Sequence, residues 1–155
     1  MDGETIVRAL HVLGVVLWIG GVGFVTTVLL PGIRNSQAPG ERVAIFERME
    51  HRFANQARAT TLLVGATGFY MVVVWDLWGR FTDPAYWWMH GMVLIWVIFT
   101  VMLFILEPLF LHRFFVERAV KEPKTTFAMV QFLHWVLLMV SLIVLVGAVV
   151  GSHGG

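Results

Sequence analysis

Residues 5–30 read TIVRALHVLGVVLWIGGVGFVTTVLL, with Arg8 the only permanently charged side chain. As one helix rising 1.5 Å per residue, this stretch is about 39 Å long. A bilayer hydrocarbon core is about 30 Å thick, so it is long enough to cross one. It is too long for a signal-peptide core, and no small-residue cleavage site follows promptly, so it reads as a retained span.

Three further stretches have the same character, at Phe53–Trp75, Tyr86–Leu111 and Thr126–Val150. Each meets the length of about 20 residues that a transmembrane helix needs. The chain of 155 residues is 58% apolar, and its mean hydropathy is +0.78. Soluble domains sit near 45–50% apolar. The expected fold is therefore all-α: one integral membrane domain over residues 1–155, built as a four-transmembrane-helix bundle. A net charge of +1 gives no basic field for nucleic acid. The absence of cysteine excludes disulfides, iron–sulfur clusters and thiolate metal sites.

The connections set the orientation. Arg34, Arg42, Arg48, Arg52 and Arg58 lie between spans one and two or just inside span two. Arg113, Arg118, Lys121 and Lys124 lie between spans three and four, and the opposite side has only Arg8 and Arg80. The positive-inside rule then places both termini outside, periplasmic in a bacterial inner membrane. Trp75, Trp78, Tyr86, Trp87 and Trp88 crowd the outer ends of spans two and three as an interfacial belt. Asn35–Gly40 breaks the chain. Glu41–His51 carries Val43, Phe46 and Met49 at helical spacing among charges, which suggests a surface helix leading into span two. His153 reads as a residue of a mobile tail.

Ionisable groups within a bilayer are costly, so each needs an explanation. His11 lies ~8 Å into span one and His90 ~5 Å into span three, both from the outer end. They share a level and could face each other. His11, Gly14, Trp18 and Gly21 form one stripe of span one, and a histidine with two glycines can admit a flat group beside the backbone. Histidine is a common axial ligand of porphyrin iron. His11 and His90 are thus candidate ligands of a b-type haem. The alternative is that the glycines serve helix packing alone.

A second set marks the inner half. Arg58, Glu107 and His134 fall on faces expected to look into the bundle. They read either as an Arg58–Glu107 ion pair with His134 nearby, or as a place where Arg58 holds an anionic group such as a haem propionate. Pro108 is expected to kink span three. His51 and His112, at inner span ends, could join His134 in holding a second haem; the alternative is an interfacial role near headgroups. Met89, His90 and Met92 raise copper as an alternative, since thioether sulfur suits Cu(I). Successive residues turn by about 100°, however, so the three cannot all face one point on a regular helix.

Ala9-Leu10-His11 with Trp18 one heptad later resembles the opening of the HemJ-type protoporphyrinogen oxidase family. Phe46–Phe53 resembles that family's methionine–glutamate run before its second span, and Trp88-Met89-His90 its tryptophan–x–histidine at the head of the third. Gly91 and Met92 stand near where that family has a lysine, and Phe132–Trp135 lacks its fourth-span asparagine–glutamate pair. Leu10–Leu13 and Trp18–Gly21 are similar, more loosely, to CopD-type copper-resistance membrane proteins. The resemblance implies the four-span scaffold and haem-binding histidines. It points to electron transfer or to oxidation of a quinone or porphyrin, with protoporphyrinogen oxidation and copper handling as alternatives. Glycine-bearing faces on so small a bundle make a homo-oligomer reasonable.

Overall fold

A computed structural model describes residues 2–36 and 39–152. Among the described residues the regular structure is helical throughout, in the order α1 (Gly3–Phe24), α2 (Leu30–Ser36), α3 (Pro39–Val74), α4 (Trp87–Val101), α5 (His112–Lys121) and α6 (Pro123–Ser152). Two π-helical segments, Val25–Leu29 and Met102–Leu111, join α1 to α2 and α4 to α5. Four helical stretches are long and apolar enough to cross a membrane: Gly3–Asn35, Ala44–Val74, Pro84–Leu109 and Pro123–Ser152. These overlap the four expected spans, although the helices run further at several ends.

Local chemistry sets the element ends. Asp2 caps α1 by accepting from the Thr5 N–H at 3.0 Å, and its bonds with Thr5 hold the carboxyl below the usual aspartate range. Asp83 caps the short turn before α4 by accepting from the Ala85 N–H at 2.9 Å. Between them Asp76 sits at φ 48°, left-handed backbone that aspartate tolerates better than most residues. The expected surface helix at 41–51 is the first part of the continuous α3. Its Phe46 is not on a free surface: it packs on Phe115 and Phe127, with ring centroids 4.5 and 5.6 Å away.

Glycines are the sockets of this bundle. On α1 a Cβ at Gly14 would lie 2.9 Å from Val64 and one at Gly21 would lie 2.7 Å from Phe53, so α3 comes close along that whole face. Between α4 and α6, Gly91 receives Val144 and Gly147 receives the ring of Trp87. Gly65 of α3 receives the Trp96 ring of α4, and the Trp96 indole donates to the Thr61 carbonyl at 2.9 Å. Trp87 therefore does packing work in addition to any interfacial role. The main core gathers Trp18, Val22, Ala57, Val64, Phe99 and Leu138, among others, where the four long helices meet.

The first apolar helical stretch continues through Pro31, where the sequence alone would end it. The π-helical segment explains how. The Leu30 N–H bonds to the Val25 carbonyl, so it is not available to Thr26. The next N–H in an i→i+5 ladder would come from residue 31, and proline has none. The Thr26 carbonyl is thus left without a helical partner. Gln131 of α6 supplies one, donating from Nε2 at 2.6 Å.

The contribution of Gln131 should depend on Pro31. Gln131→Ala should destabilise the protein by about 1–3 kcal/mol, the cost of an unsatisfied buried polar group. In a Pro31→Ala background, which restores the missing N–H, the loss should fall to well under half. Unfolding in mixed detergent micelles measures both, and equal losses in the two backgrounds would remove Pro31 from the explanation.

Candidate functional site

The polar side chains inside the bundle fall at two ends. The terminal end holds the start of α1 and the end of α6; the basic end holds α2, α5 and the arginine-rich start of α3.

At the basic end, the Arg58 guanidinium of α3 meets three acceptors. Its Nε donates to the Leu103 carbonyl at 3.1 Å, one terminal nitrogen donates to Asn55 Oδ1 at 3.1 Å, and the other pairs with Glu107 Oε2. The Arg58 and Glu107 side chains are 26% and 20% exposed, so the pair is largely withdrawn from the surface. Leu103 needs this donor for the reason Thr26 needs Gln131. In the π-helical segment, the N–H that would reach its carbonyl belongs to residue 108, and Pro108 has none. The expected kink at Pro108 is thus a ten-residue π-helical run, held by a guanidinium from a neighbouring helix. Arg58 and Glu107 come together as the sequence suggests. Three of its five N–H donors are thus committed to the chain itself.

His134 of α6 is half-buried, and its Nδ1 donates to the Val130 carbonyl at 2.9 Å. A carbonyl can only accept, so Nδ1 carries the proton and a neutral ring presents a bare Nε2. No hydrogen bond joins it to Arg58 or Glu107. His51 is exposed on α3, with its Nε2 facing the Asn55 amide at 3.5 Å. The His112 side chain lies outside the described residues, as does His153.

At the terminal end, His11 of α1 is half-buried and stacks on Gly68 of α3, where a Cβ would lie 3.2 Å from its Cε1. Its Nδ1 is 2.9 Å from Thr67 Oγ1. The Thr67 hydroxyl is 2.6 Å from the Leu63 carbonyl, to which it donates. Its single hydrogen being used there, Thr67 accepts from His11. The proton again sits on Nδ1 and Nε2 is bare.

His90 of α4 is exposed, edge-on to Phe81 at 5.6 Å between centroids. Trp18 of α1 meets Phe99 of α4 at 4.9 Å. From that contact His11 stands ~10 Å and His90 ~14 Å along their helices, towards the same end. The two histidines therefore share a level, but their immediate neighbours differ. The stripe of His11, Gly14, Trp18 and Gly21 does face one way. The space beside Gly14 and Gly21 is filled by Val64, Leu63 and Phe53, which is the packing alternative and not an open slot.

Met89 is buried while His90 and Met92 are exposed, so the copper set points in different directions. Among the described residues, no three His, Asp or Glu side chains converge as a metal site. Thr67, which fixes His11, and Gln131, which closes the first π-helical segment, escaped the sequence reading. A proline inside an apolar run is the signal that calls for a donor such as Gln131. No protein-family model, curated protein or solved structure matches the chain.

Removing one member of the Arg58–Glu107 pair should cost more than removing both. Arg58→Met leaves the Glu107 carboxylate and the Leu103 carbonyl without their donor, and should destabilise by about 2–3 kcal/mol. Arg58→Met with Glu107→Leu removes the stranded charge and should recover part of that loss. Thermal unfolding of the three proteins in one detergent tests the order; a double variant less stable than Arg58→Met would contradict it.

Proposed function

We propose that this chain is an integral membrane protein that crosses the bilayer four times and binds a b-type haem through His11. The membrane reading rests on where the apolar surface lies. No more than a third of the residues in each apolar window are buried. Val16, Leu62, Leu94 and Val146 are each more than half exposed along the length of the bundle. An apolar belt of that extent is costly in water and matched by hydrocarbon. The basic end then faces the cytoplasm by the positive-inside rule, and both ends of the chain face outward, in a bacterial host to the periplasm.

The haem reading is carried by a single observation: the Thr67 bond that holds the His11 proton on Nδ1 and leaves Nε2 bare. Metal-bound histidines usually donate their other ring nitrogen to a fixed acceptor in this way. His11 thus fits as an iron ligand. His90, at the same level, is the candidate second ligand. His134 has the same locked tautomer at the basic end and is the candidate ligand of a second haem. The Gly14–Gly21 face, being filled by α3, is not where the ring lies. A bound haem supplies one-electron transfer, to which a quinone or porphyrin partner is suited. The chain's own part is to fix the imidazole and keep the surroundings apolar.

Protein purified with haem supplied should show a Soret band. His11→Ala should abolish it, and Thr67→Val should weaken haem retention by loosening the tautomer. A His90→Ala variant should keep the band but shift its position. Protein with no Soret band under haem-replete conditions, or a band unchanged by His11→Ala, would defeat the proposal.

A further inference from the structure

Between the two polar ends lies a central layer that should be purely apolar, and it is not. The indole Nε1 of Trp18 and the hydroxyl of Thr61 are both fully enclosed and both lack a hydrogen-bond partner. Trp18 is 4% exposed and Thr61 0%.

Most buried hydroxyls of this bundle are absorbed by their own helix; those of Thr61 and, at the start of α6, Thr126 are not. Thr26, Thr27, Thr60, Thr67, Thr100 and Ser141 each donate to the carbonyl four residues back. That is the ordinary way a helix absorbs a hydroxyl in apolar surroundings. Thr61 does not do so, and the Ala57 carbonyl it would use also lies 3.1 Å from the Thr60 hydroxyl.

Both orphaned groups face the middle of the bundle. On α3, Phe53, Val64 and Gly68 meet α1, while Gly65 meets α4 and Arg58 the π-helical segment that continues it. At about 100° per residue, Thr61 falls between those two sets. On α1 and its π-helical continuation, Gly14 and Gly21 meet α3, while Gly23 and Thr26 meet α6. Trp18 falls between them by the same arithmetic. Height agrees with direction: Gly14 stands opposite Val64 and Gly21 opposite Phe53, so Trp18 is within about one turn of Thr61. Buried Ser141 of α6 falls between Leu138, which meets Gly23, and Val144, which meets Gly91. It belongs to the same inward face, about one turn from the Trp18 layer.

We propose that this layer is a water-binding site, with Trp18 and Thr61 as its anchors. The water oxygen accepts from the Trp18 N–H and the Thr61 O–H. One of its hydrogens goes to Ser141 Oγ, whose own hydrogen is already donated to Leu137. Three partners are what a buried water typically makes. Without it, each orphan carries the full cost of a desolvated polar group. Along α3 the site lies ~5 Å from the level of Arg58 and ~9 Å from that of Thr67. It is therefore the middle step of a polar track running through the bundle from the Arg58–Glu107 pair to His11. The site does not depend on haem.

Radiolytic hydroxyl labelling in ¹⁸O-water, read by mass spectrometry on the full chain in detergent, tests this, because a buried water labels its neighbours. Trp18 should take up ¹⁸O well above the level of Phe46, which is comparably enclosed. Thr61→Val should cut the Trp18 label several-fold and lower the unfolding temperature, and Thr61→Ser should keep both. Trp18 labelling no higher than Phe46 in the unaltered protein would overturn the proposal. A rise in unfolding temperature for Thr61→Val would also overturn it, since removing a hydroxyl that truly has no partner is stabilising.

Discussion

Everything in this bundle depends on what happens to backbone carbonyls when proline enters a long apolar helix. Two prolines, Pro31 and Pro108, sit inside helices that continue beyond them, and each follows or lies in a π-helical segment. Each strands the carbonyl five residues earlier. In water such a carbonyl would be hydrated; inside an apolar bundle it must find a donor on the chain itself. Gln131 and Arg58 are those donors. The partners cross the structure: the first helix is closed by the last, and the third by the second. Two lapses in local regularity thereby become ties between helices, one of them joining the two ends of the chain's fold.

The same constraint explains the difference between the two donors. The Thr26 carbonyl stands alone, and a neutral amide satisfies it. At Leu103 the stranded carbonyl is accompanied by Glu107, immediately before the proline. An amide could not neutralise that carboxylate, whereas a guanidinium offers several N–H donors in a fixed fork and a charge as well. Arg58 reaches the carbonyl, the carboxylate and Asn55 together. An ion pair is a poor source of stability when set against apolar packing. Here the charge is better understood as the means by which one side chain closes a break that includes an acid.

Much of this was legible in the sequence, for identifiable reasons. Four runs of apolar residues of spanning length can hardly be anything but helices, because length and hydropathy are properties of the run and do not need the partner. Arg58 and Glu107 could be paired because charges in such runs have few alternatives. The continuation through Pro31 was not legible, since a proline after an apolar run ordinarily reads as its end. That it does not end there depends on Gln131, a hundred residues away. A stripe carrying His11 and Gly14 is legible from helical spacing alone, but its filling is not, because Val64 and Phe53 arrive from another helix. Thr67, Trp18 and Thr61 are ordinary residues for apolar helices, and only packing gives them their roles.

Their polar partners also separate the histidines from one another. His51 and His90 are exposed, where an imidazole can be solvated by headgroups or water and implies little. His11 and His134 are half-buried, and the chain spends a hydrogen bond on each to fix the proton at Nδ1. In His134 the acceptor is the helix's own carbonyl, which any histidine four residues on could use. In His11 it is Thr67, a side chain of a different helix whose own hydrogen is committed elsewhere. Placing that acceptor requires α1 and α3 to pack in one register, the register that Gly14, Gly21 and Gly68 set. The glycines expected to make room for a flat group beside His11 instead hold the ring that would bind it, and this is why His11 carries the functional reading further than its counterpart at the other end.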